Sequence, residues 1–215
     1  MSPRSIALIA AGSWLILSLG PLRIGLERDM AVQMAVQMPL LIALGVLFSC
    51  WVRRYEPRWF ADADWLGISG IVLVVFGTSF WMLPRAMDEA VAEPLADLAK
   101  FLSLPLLVGL PLGLSWRRMP PLGRAFIWAN FIPKLGAVGG LYLAAPTRLC
   151  AYYRVDQQQL AGWTLIAVAV ALGLTWFFAA FVGWTPSSKK QLPTGVAGTP
   201  RPRPAPHGAS AALCK

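Results

Sequence analysis

Residues 30–52 read MAVQMAVQMPLLIALGVLFSCWV, an uninterrupted run without one charged side chain. A helix rises about 1.5 Å per residue and the hydrocarbon core of a bilayer is about 30 Å thick, so about 20 apolar residues cross it. Residues 30–52 satisfy that length with no charge to bury. Only helices and closed barrels satisfy every backbone group in lipid, and this run lacks the strict alternation of a barrel strand.

Five further runs flank it: Ser5 to Pro21, Leu66 to Pro84, Phe101 to Trp116 (extended by Pro94 to Ala99), Ala125 to Leu149, and Leu160 to Trp184. The composition agrees, with 57% of the 215 residues hydrophobic and 13% charged; soluble domains carry about 25% charge. The first run follows one basic residue, as in a signal peptide, but Pro21-Leu22-Arg23 stands where a small-residue cleavage site belongs, so the run reads as a span. The expected architecture is an all-α polytopic membrane bundle of six transmembrane helices over residues 1–184. From Thr185 the chain turns rich in proline and basic residues, including Thr199-Pro-Arg-Pro-Arg-Pro-Ala-Pro206, and reads as a disordered tail over 185–215 holding the lone His207.

Charge sets the expected orientation. Arg4, Arg53, Arg54, Arg58, Arg117, Arg118, Arg124 and the basic tail fall on one side; Arg23, Arg28, Arg85, Lys100, Arg148 and Arg154 fall on the other. The first group is twice the second, which puts both termini in the cytoplasm of a bacterial inner membrane. The net charge of +9 is then a topology signal, with the lipid bilayer rather than nucleic acid as the partner. The opposite loops hold Glu27, Asp29, Asp88, Glu89, Glu93, Asp97 and Asp156, the face that excluded positive charge leaves behind.

The sequence has no phosphate-binding loop, HExxH helix or Cys-x-x-Cys pair, and its one histidine excludes a Ser/His/Asp triad within the spans. A non-enzymatic role is expected. Residues 30–39 instead state a four-residue unit twice, so on a helix Met30, Met34 and Met38 form one stripe, with Gln33 and Gln37 beside it. Thioethers are soft ligands that select Cu(I). Met82, Met87 and Cys150 end other runs at the same level, making Met30, Met34, Met38, Met82, Met87 and Cys150 the candidate metal ligands. The bland reading of the same methionines is gap-filling between packed helices. Cys50 lies near the cytoplasmic end of its span, Cys150 at the outer end of another and Cys214 in the tail; Cys50 and Cys150 cannot meet across the bilayer, and no intramolecular disulfide is expected.

Three further features stand out. Lys134 is the one charge well inside a run, read either as snorkelling to the headgroups or as a polar inter-helix group on a pathway. Asp156-Gln157-Gln158-Gln159 leads into the last run, with Asp156 placed to cap it. Ala161-Gly162 would let a neighbouring helix approach closely.

Residues 156–162, Asp-Gln-Gln-Gln-Leu-Ala-Gly, resemble the D-Q-Q-L-A-G signature of the CtaG family with one extra glutamine, and Met30 to Leu41 is similar to that family's earlier helix running into Pro-Leu-Leu. The resemblance implies a multi-pass protein of cytochrome c oxidase assembly, linked to copper insertion, with a haem-copper oxidase subunit or another copper protein as partner. The family pattern has histidines where this chain has Leu26 and Met30, so copper here would be Cu(I) on thioethers. The alternatives are a small transporter or permease component built around Lys134 and the proline-bearing helices, and a structural subunit of a membrane complex without metal.

Overall fold

A computed structural model describes residues 3–55, 64, 66–145, 148–150 and 152–182. The tail expected over 185–215, with His207, lies outside the described residues, as do Arg58 and residues 183–184. Among the described residues all regular structure is helical: α1 (Pro3–Ser18), α2 (Gly20–Glu27), α3 (Met30–Val52), α4 (Ile68–Trp81), α5 (Pro84–Ala92), α6 (Pro94–Ser115), α7 (Pro121–Ala144) and α8 (Val155–Val182). Three of these, α3, α6 and α8, are long and apolar enough to cross a membrane, and the number rises to five if each of two bent pairs is one span.

Those bends have local causes. The α1–α2 pair turns through 69° and the α4–α5 pair through 70°. In each, a proline opens the second helix, and the residue before that helix, Leu19 or Leu83, is extended. Proline lacks the N–H that would continue a helix and suits the first turn of a new one.

Packing follows the helical period. Met30, Met34, Met38, Leu41, Gly45 and Ser49 fall on one face of α3 and are buried. The corresponding face of α4 is Gly70, Val74, Thr78 and Trp81. α3 packs on α1 and α6, and α6 on α4, forming one group; α7 and α8 form a hairpin that meets this group through α4 and through the start of α3. Within the hairpin a Cβ on Gly162 would lie 2.9 Å from the Gly139 carbonyl, and one on Gly139 would lie 2.7 Å from the Gly162 carbonyl. The expected close approach at Ala161-Gly162 is thus met by a glycine on the facing helix.

Two helices are locally wound as π-helix, Gln33–Gln37 in α3 and Leu104–Gly109 in α6. In α6 the cause is visible. Pro105 cannot donate to the Phe101 carbonyl, and the Trp14 indole N–H donates to it instead at 2.8 Å. Such single π-turns in α-helices are common at functional sites.

Candidate functional site

One end of the bundle is acid-rich and holds α2, α5, the start of α3 and the residues between α7 and α8. Its centre is a buried ion network. Lys100 is 0% exposed. Its Nζ donates to Glu27 Oε1 at 2.6 Å and lies 2.9 Å from Asp97 Oδ1, the latter an ion pair rather than an aligned hydrogen bond. Arg23 pairs with both carboxylates, at 3.3 Å to Glu27 and in close contact with Asp97. Gln37 Nε2 donates to Glu27 Oε1 at 3.3 Å, and the Tyr153 hydroxyl meets the Glu27 carbonyl at 2.9 Å and the Gln33 side-chain oxygen. Burial, then the nearby Glu27 carboxylate, pushes the Tyr153 phenol up from its ordinary value, so it remains a hydroxyl donor.

The π-turn positions these glutamines. By adding one residue to a turn it rotates Gln33 and Gln37 inward alongside Met34 and Met38, and both amides are fully buried. Gln33 Nε2 and Gln37 Oε1 have no protein partner. Two such groups, one donor and one acceptor, are what a buried water satisfies.

Behind this network lies an apolar cavity of about 490 Å³. Met34, Met38 and Met82 line it together with Trp81, so three of the six candidate ligands share one wall. Met30, Met87 and Cys150 do not line it; they are buried in the packed core, with Met30 and Met87 at 0% exposure. Met30 shares the buried face of α3 with Met34 and Met38 but sits in the packed core rather than on the cavity. No three His, Cys, Asp or Glu side chains among the described residues could hold a metal together.

The sequence's other candidates take structural places. Asp156 lies inside the first turn of α8 rather than ahead of it; its carboxylate pairs with Arg154 Nε at 3.0 Å in solvent. Capping is done by Gln157, whose Oε1 accepts from the Arg154 N–H at 3.3 Å, the back-reaching half of a capping box. Its Nε2 donates to the Arg28 carbonyl and Asp29. Gln158 is buried and bridges the hairpin end, accepting from the Leu149 N–H and donating to the Tyr142 carbonyl, each at 3.0 Å. Lys134 makes inter-helix bonds: its Nζ donates to Ser79 Oγ at 2.7 Å, Thr78 Oγ1 at 3.3 Å and the Val75 carbonyl at 3.4 Å. No carboxylate meets it among the described residues.

The cysteines bring one correction. Cys50 is disulfide-bonded, although no intramolecular disulfide was expected; the distance argument excluded only its pairing with Cys150. Cys150 is a free thiol, 1% exposed, 3.6 Å from the Pro84 carbonyl. Burial, helped by Asp88, pushes it from 9.0 up to about 11. Between those two values the unfolded chain gives up this proton and the folded chain keeps it, so rising pH costs stability there. In the folded protein, the rate of iodoacetamide labelling at Cys150, followed by peptide mass spectrometry, should therefore climb with pH and reach half its maximum near pH 11. A half-maximum near pH 9 would mean an exposed, ordinary thiol.

No family model, curated protein or solved structure matches this chain.

What sequence reasoning missed is the ion network. Glu27, Asp97 and Lys100 sit at the ends of apolar runs and read as loop charges. The usable signal was the spacing of Asp97 and Lys100, three apart, which places opposite charges on one helix face.

Proposed function

We propose that this chain is a non-enzymatic, CtaG-type membrane protein that handles Cu(I) as cargo in support of cytochrome c oxidase assembly. The observation that carries the reading is the sharing of one cavity wall by Met34, Met38 and Met82. An isolated cation is strongly disfavoured in apolar surroundings unless it is coordinated there. Thioethers are the side-chain class that favours Cu(I), and an indole such as that of Trp81 attracts cations through its ring face. The donor chemistry therefore fits copper(I). Cys150, held as a thiol at neutral pH, and the core-packed Met30 and Met87 fit less well.

In this reading α1–α2, α3, α4–α5, α6, α7 and α8 supply six crossings of a bacterial inner membrane. α7 is 24 residues long and carries Arg124 and Lys134. Both termini are cytoplasmic, the acid-rich end faces outward, and cargo passes to a haem-copper oxidase subunit or another copper protein at that face. A transporter built around Lys134 has weaker support, since its ammonium meets hydroxyls and a carbonyl rather than an acid.

The test is Cu(I) retention by the detergent-solubilised protein against a competing chelator. The triple replacement Met34→Leu, Met38→Leu, Met82→Leu should weaken retention by at least roughly tenfold, while Met30→Leu with Met87→Leu leaves it unchanged. Equal retention by the triple variant and the parent would remove the cavity thioethers from the chemistry.

A further inference from the structure

The cavity that holds the three thioethers at one end continues toward the opposite, arginine-rich end, where its wall becomes aromatic: Trp116, Trp128 and Phe131. Along α6 and the residue that follows it the cavity reaches from Leu104 to Trp116, about 18 Å at helical rise. That is close to the hydrocarbon depth of one leaflet, about 15 Å. α8 packs on the first turns of α3, residues 30–37, and has no comparable packing on residues 38–52. On α3 the lining residues Pro39 and Ala43 are exposed, so the cavity opens sideways between these two helices, at the level of the apolar core.

The chemistry of the lining narrows the occupant. Thr78 is the one polar, non-aromatic side chain on it, and its hydroxyl already donates to the Val74 carbonyl at 2.6 Å and accepts from Lys134. Apart from the indole N–H groups at the aromatic end, the lining offers no ready polar partner, and a plain hydrocarbon chain needs none. At the aromatic end stands a charge. Arg124 donates from Nε to the Trp116 carbonyl at 3.1 Å, and its guanidinium lies over the Trp116 ring, 5.5 Å from the centroid. Among the described residues it meets no carboxylate. A guanidinium held in place by stacking is suited to phosphate.

We infer that the cavity is a lateral binding slot for one acyl chain of an anionic phospholipid, which enters between α3 and α8 with its phosphate at Arg124. Lipid and Cu(I) would compete at the methionine end of this one cavity, but the lipid assignment rests on its lining and on Arg124, not on copper. Basic sites between membrane helices are a recurrent way of holding anionic headgroups. Here the slot supplies the chain contact that a surface basic patch lacks.

The experiment is native mass spectrometry of the full chain, delipidated in detergent and titrated with phosphatidylglycerol or phosphatidylcholine of the same acyl chains. One phosphatidylglycerol should be retained per chain, at least tenfold more tightly than phosphatidylcholine. Arg124→Gln should abolish that preference, and Ala43→Phe, which fills the opening, should weaken both lipids at least tenfold. On the unmodified protein, a phosphatidylglycerol brominated at mid-chain should quench tryptophan fluorescence, and Trp116→Phe with Trp128→Phe should remove most of that quenching. This arm stands even if Ala43→Phe does not fold. Absence of a retained lipid, unchanged retention in a folded Ala43→Phe variant, or equal affinity for the two headgroups would overturn the assignment.

Discussion

Lys100→Met is expected to destabilise the detergent-solubilised protein by about 3–5 kcal/mol, the cost of removing one partner from a buried ion network. Methionine is close to lysine in length and tolerates burial, so packing changes little. Electrostatics decide the outcome. Lys100 is the fully buried cation between Glu27 and Asp97, at 2.6 and 2.9 Å. Without it the two carboxylates share only Arg23, which is 37% exposed in its side chain and anchors a short helix with no buried residues of its own. α2 is held to the bundle chiefly by these contacts, so its loosening should be the first event on heating. Helix melting by circular dichroism gives the global loss; protease cleavage within residues 20–28 reports the local one.

The same network supplies the control. Replacing Glu27 by Gln and Asp97 by Asn in the Lys100→Met background removes the stranded charges and should recover more than half of the lost stability, because a neutral buried set costs less than an unbalanced one. Lys100→Met melting with the parent would show that water reaches the site and screens it. Failure of the triple variant to recover would show that lysine acts through packing rather than charge.

The contrast between what was legible and what was not runs along this end of the molecule. Residue class and run length pointed to spans at 30–52, 101–116 and 160–184, and the structure has helices at 30–52, 94–115 and 155–182, since burial in lipid demands apolar runs of one length. The glycine approach at Gly162 was legible too, because only a missing side chain permits it. The methionine stripe was half legible. Spacing predicted Met34 and Met38 together, but the π-turn that brings Gln33 and Gln37 inside depends on how α3 meets Tyr153 and Glu27, residues far away in the chain. Met82 reaches the same wall from α4, a pairing set by the bundle. The ion network was illegible for a similar reason: charges flanking an apolar run are usually solvated, and only the bend at Leu19 folds Glu27 back over Lys100. Lys134 shows the converse, since its serine and threonine partners on α4 are unremarkable in sequence until packing opposes them.

The second large effect lies where α3 crosses α6. A Cβ on Gly45 would fall inside the Pro105 carbonyl, and one on Gly109 inside the Ile42 carbonyl. The obstruction in each case is backbone, which has no rotamer to change, so the helices must separate or the π-segment Leu104–Gly109 must rewind. Gly45→Ala and Gly109→Ala should each destabilise by about 2–3 kcal/mol, the upper part of the range for ordinary overpacking, even though alanine is the better helix former by about 1 kcal/mol. The comparison site is Gly136 on α7, where an added Cβ meets nothing within 4 Å. Gly136→Ala should leave stability unchanged or raise it by up to about 1 kcal/mol. Melting temperatures for the three variants in one detergent decide the point. If all three behave alike, helix propensity outweighs the crossing and α3 does not lie on α6 at this distance. If Gly45→Ala and Gly109→Ala fall together while Gly136→Ala holds, the close crossing is the feature that fixes α3, and with it the wall carrying Met34 and Met38.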